Sequence, residues 1–172
     1  PQVKDGTTFH VAAGTYYPMY DNDMKLTNDP YAQYTIKSDV TIKGGYPANA
    51  TKGAKSDPKE YKTIFSGDYE NDDEVSFVKE TDGSYSLTHK NYEDNAAYLF
   101  FIIASKETNI VFDGVAISNT SYGIYPVYKT SPVDLNVNIN NVSFENISGY
   151  AAYCSTNQVY LDINHSSFKH NN

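Results

Sequence analysis

Three stretches decide the reading of this chain: Asn109–Asn119 (NIVFDGVAISN), Asn136–Asn146 (NVNINNVSFEN) and Tyr160–His170 (YLDINHSSFKH). Each runs apolar–X–apolar, then two turn-formers, then X–X–apolar and a polar residue. The anchors Phe112, Ile139 and Ile163 are spaced by 27 and 24 residues, and Ile117, Phe144 and Phe168 repeat those intervals. Two anchors locked to one period point to stacked units, in which residues of like character lie over one another. The paired residues Asp113-Gly114, Asn140-Asn141 and Asn164-His165 occupy the bend between two short strands. A bend of this kind takes a left-handed backbone, which suits Gly, Asn and His.

Working outward, helical periodicity is nearly absent and alternation prevails: TTFHVA at 7–12, VTIK at 40–43, TIF at 63–65, VYLDI at 159–163. Ile42 and Phe65, 23 residues apart and each before a turn-forming pair, extend the period upstream. A further strand is expected between repeats at Phe100–Ser105, Ile124–Lys129 and Ala151–Ser155, with Cys154 buried there. The expected fold class is all-β, a right-handed parallel β-helix (single-stranded solenoid) of about six or seven coils. It forms one domain over residues 1–172, with a long loop insertion at about 69–95.

The order of Val11–Pro18 (VAAGTYYP), Ser38–Tyr46 (SDVTIKGGY), Thr63–Asp68 (TIFSGD), Asp94-Asn95 and Phe112–Asn119 (FDGVAISN) resembles bacterial surface proteins of the pectate-lyase-like right-handed β-helix family. The similarity is greatest to the adhesin-like and polymorphic outer-membrane-protein-like members of Bacteroidetes. That resemblance implies an extracellular or cell-surface location and an amphipathic N-terminal capping helix. Nothing of that kind precedes Gly6-Thr7, so a fragment of a longer protein, or a chain whose ends associate, is expected.

Composition narrows the partners. The chain of 172 residues carries a net charge of −8, its 13 bases are all Lys, and aromatics make up 15%. A phosphate backbone is disfavoured by the field and by the absence of guanidinium groups, so no nucleic-acid partner is expected. No apolar run reaches membrane-spanning length. One cysteine excludes an intrachain disulfide.

Catalytic residues are not expected. The family's lyases use Arg or Lys as base, and glycosidases need converging carboxylates, which the candidate inter-repeat strands lack. The 17 tyrosines are the anomaly. Tyr122, Tyr125, Tyr128 and Tyr153 are the candidate ligand-binding residues, an aromatic strip for a sugar's apolar face or a protein epitope. The alternative is that these rings fill the core. Asp68, Glu70, Asp72, Asp73 and Glu74 are candidate oxygen ligands for Ca²⁺, with a solvated loop as the alternative. No other cofactor is expected. The function expected is adhesion or glycan and protein recognition without catalysis. The alternatives are part of a polysaccharide lyase or glycoside hydrolase whose catalytic centre lies elsewhere, and a structural spacer.

Overall fold

The computed structural model describes residues 3–19, 27, 29–128, 133–154 and 158–171. They form strands and turns, with no helix among them. The strands are β1 (Thr7–Ala12), β2 (Gly14–Tyr16), β3 (Tyr34–Ile36), β4 (Val40–Tyr46), β5 (Thr63–Ser66), β6 (Glu74–Lys79) and β7 (Tyr85–Lys90). There follow β8 (Tyr98–Ala104), β9 (Thr108–Asp113), β10 (Ala116–Tyr128), β11 (Leu135–Asn140), β12 (Ser143–Ala152), β13 (Val159–Asn164) and β14 (Ser167–Lys169). One parallel sheet runs β1-β4-β9-β11-β13. A second parallel sheet, of seven strands, runs β14-β12-β10-β5-β2, with β8 also beside β10 and β3 beside β8. β6 and β7 form a separate antiparallel pair.

Why these residues make these strands is visible in β11, LNVNIN, which alternates buried and half-buried side chains along its length. A strand sends successive side chains to opposite faces, so its apolar set lies on one side. Register then stacks equivalent positions. Phe9, Ile42, Phe112, Ile139 and Ile163 are successive partners across the five-stranded sheet. Tyr16, Phe65, Ile117, Phe144 and Phe168 are successive partners across the other. The two sets meet in one core, where the Phe112 ring lies 4.8 Å from Phe100 and Phe100 lies 4.9 Å from Phe65. The inner rungs are buried, whereas Phe9, Ile163 and Phe168 at the outer rungs are exposed.

Bends fall on left-handed residues. Gly114, Asn141 and His165 have φ of +68°, +53° and +50°, as the turn pairs require. A second set, Asn119, Asn146 and His170, has φ of +53°, +56° and +54°. A residue in this region cannot continue a strand straight, so β10 and β12 change direction there. The start of β10 lies beside β5, and its second half, from Tyr122 on, lies beside β8.

Several expectations are corrected. A single-stranded right-handed parallel β-helix of six or seven coils is not what the strands form: they separate into parallel sheets of five and seven strands and an antiparallel pair. The resemblance to β-helix surface proteins falls with it. The periodicity describes each ladder of side chains; it does not dictate how ladders are joined into sheets. Phe65 is also reassigned, since it pairs with Ile117 and not with the Ile42–Phe112 set. Residues 69–95 are not merely a loop but contain the β6–β7 hairpin, turned at Gly83 with φ +88°. Cys154 is exposed.

Candidate functional site

Two groups of side chains stand out, and β10 touches both. The first is an aromatic array on the second half of β10 and its neighbours. Tyr98 of β8, Tyr122 of β10 and Tyr150 of β12 are cross-strand partners. Tyr98 stacks on Tyr122 at 4.7 Å and Tyr122 on Tyr150 at 6.0 Å. A parallel row runs Phe101, Tyr125, Tyr153, with stacked centroids 5.8 and 4.7 Å apart. Edge contacts join the rows, among them Tyr98–Tyr125 at 5.1 Å and Tyr122–Tyr125 at 5.2 Å. Offset and edge-to-face contacts of this kind contribute roughly 0.5–1.5 kcal/mol each beyond area burial.

Stacking uses up most ring faces within the array. Tyr150 is the most open of them at 55% exposed, although its ring also meets Tyr122 and Tyr153. Burial by the neighbouring rings, aided by the phenol of Tyr153, pushes the Tyr125 hydroxyl up from its ordinary value. Backbone closeness sets the spacing. A Cβ on Gly123 would lie 2.5 Å from the Ala151 carbonyl oxygen, and one on Gly149 2.6 Å from that of Ser121. Three cavities, of about 460, 540 and 500 Å³, have no lining residue from this array. The array forms a stacked aromatic platform outside these three cavities.

Of the residues read from the sequence, Tyr122, Tyr125 and Tyr153 come together. Tyr128 ends β10, and its side chain lies outside the described residues. Tyr98 and Phe101 were missed because the run AAYLFFIIA reads as a buried strand. The signal was present, since both lie 24 residues before their partners Tyr122 and Tyr125.

The second group is acidic. Asp68, Asp72, Asp73 and Asp94 each bring one carboxylate oxygen to within 4.8 Å of the others. Asp68 is buried between the end of β5 and the hairpin, and accepts hydrogen bonds from the amides of Asp72 and Asp73, both at 3.3 Å. Asp94 accepts from the Glu70 amide at 3.1 Å. Desolvation, reinforced by the charges of Asp68, Asp94 and Asp72 against an opposing hydrogen bond from Asn95, raises the Asp73 carboxyl to about 7. Burial and the charges of Asp94 and Asp68 raise Asp72 as well.

Of the five carboxylates read from the sequence, Asp68, Asp72 and Asp73 lie in this cluster. Glu70 and Glu74 are not in it; Glu74 pairs with Lys90 at 3.7 Å. Asp94 was not read as a partner, although Asp68 and Asp94 flank the hairpin and its closure brings its two ends together.

No family model, no curated protein and no solved structure matches this chain. The family resemblance stated above is therefore without support from any of these comparisons. No helix among the described residues is long and apolar enough to cross a membrane.

Proposed function

We propose that this chain is a non-catalytic recognition module of a secreted or cell-surface protein, and that its aromatic platform binds a glycan. The observation that carries the reading is the two-row array of Tyr98, Tyr122 and Tyr150 beside Phe101, Tyr125 and Tyr153. Tyrosine supplies rigid contact area and a hydroxyl at low entropy cost. The Tyr150 ring suits the apolar face of a pyranose, and the adjacent hydroxyls suit its polar rim. A net charge of −8 favours neutral or cationic ligands over polyanions.

A glycan array probed with the purified chain tests this. Binding that is lost in both Tyr150→Ala and Tyr125→Ala supports the reading. A blank array, binding unchanged in both variants, or cleavage of a bound polysaccharide overturns it.

A further inference from the structure

The acidic cluster carries an inference independent of the platform. Among the described residues no ion pair engages the four carboxylates: the pairs are Lys43–Asp113, Lys90–Glu74 and Lys106–Asp5, all elsewhere. Like charges this close repel one another and are stable together only with compensation.

A separate observation comes from Asn95. This residue is 5% exposed. Its side-chain amide donates to Asp73 Oδ2 at 2.8 Å, which sets the Asn95 head group at the cluster. Its Oδ1 is buried without a hydrogen-bond partner, and so is Asp73 Oδ1. Orphaned buried acceptors are costly.

We propose that Asp68, Asp72, Asp73 and Asp94, with the Asn95 side-chain carbonyl, bind one Ca²⁺ ion that ties both ends of the β6–β7 hairpin to the end of β5. Oxygens about 2.4 Å from a shared ion are at most twice that distance apart, a condition the four carboxylates satisfy. The donors are all hard oxygens, with no His or Cys among them, which excludes a zinc-type set. Four carboxylates and a carbonyl from a partly buried site suit the larger, flexible shell of Ca²⁺. Mg²⁺ instead keeps several waters and demands near-octahedral geometry. The ladder continues into the sheet, because Asn119 Nδ2 donates to Asp68 Oδ2 at 3.5 Å and Asn146 Nδ2 to Asn119 Oδ1 at 3.0 Å. The ion therefore sits at the end of a polar row that also fixes the bends of β10 and β12.

The test uses the full chain stripped with chelator and titrated calorimetrically with CaCl2 and, separately, MgCl2. Thermal melts and terbium luminescence, sensitised by the nearby Tyr69 and Tyr92 rings, run in parallel. The expected result is one Ca²⁺ per chain, at least tenfold preference over Mg²⁺, a calcium-dependent rise in Tm, and terbium emission displaced by Ca²⁺. Asp73→Asn and Asp94→Asn should each weaken Ca²⁺ by at least tenfold, while Glu70→Gln leaves it within twofold. Folding does not confound the comparison, because neutralising one crowded carboxylate is expected to raise the melting temperature in chelator. No binding heat, equal affinity for the two ions, or unchanged titrations in both Asp variants overturns the proposal.

Discussion

The rings of Tyr125 and Tyr153 lie 4.7 Å apart with planes 5° from parallel. They belong to neighbouring parallel strands whose register places Ile124 opposite Ala152, so the stack follows from backbone pairing. A double-mutant cycle on these two positions, read by denaturant unfolding, should give a coupling of about 0.5–1.5 kcal/mol. Additive single effects would mean that the rings do not hold each other in solution.

The ladders predict unequal costs at equivalent positions. Phe112 is fully buried, while Ile163, two rungs along, is 42% exposed. Phe112→Ala should destabilise by about 3–5 kcal/mol through lost transfer energy and the cavity left behind. Ile163→Ala should cost about 1 kcal/mol or less, since much of that side chain already meets solvent. Equilibrium unfolding in urea measures both.

Two glycines separate steric from torsional constraint. A Cβ on Gly67 would sit 2.1 Å from the Asn119 carbonyl oxygen, an approach that requires the backbone to move. Gly53 has φ +94° and open space around it. Gly67→Ala should lower stability by at least about 2–3 kcal/mol, at the upper end of overpacking costs. Gly53→Ala should cost about 1 kcal/mol from strain alone. A comparison of the two melting temperatures checks the order.

Asp73 predicts an unusual pH response in the absence of divalent ions. Its folded carboxyl is raised to about 7 from an ordinary value of 3.8. Between those values the folded state holds a proton that the unfolded state has released, so this group's contribution falls as pH rises. In chelator, wild-type minus Asp73→Asn stability should therefore decline from pH 4 towards pH 7 and level off above it. A difference that stays flat across that window would show that the carboxyl titrates normally.

Gly123 links the backbone to the platform. Gly123→Ala should force the Tyr122 segment of β10 away from Ala151, because no Cβ fits 2.5 Å from that carbonyl. The near-ultraviolet circular dichroism of the stacked tyrosines should weaken, with far-ultraviolet strand content kept. An unchanged near-ultraviolet signal would mean that the array tolerates the shift.

Much of the local structure was legible because it is a matter of nearest neighbours along the chain. Alternation in LNVNIN and the left-handed residues Gly114, Asn141 and His165 depend on side-chain direction and backbone sterics. Phe112, Ile139 and Ile163 also align as register partners, because like residues at like offsets favour one pairing over its one-residue slips. The sites were only partly legible. Tyr125 and Tyr153 were readable from their recurrence, whereas Tyr98 hid in an apolar run.

By itself, the sequence determined the alternating apolar sets, the bends at Gly114, Asn141 and His165, and that an acidic segment and a tyrosine-rich strand exist. Only the tertiary structure decided that Phe65 joins Ile117 rather than Phe112, that the strands divide into separate sheets, and that Asp94 and Asn95 return to Asp68. The reason is physical. Periodicity encodes which side chains can stack, but strand partners and the ends of a hairpin are chosen by closure of the chain in space. That closure depends on the total packing of the Phe100–Phe112 core, which no local window contains.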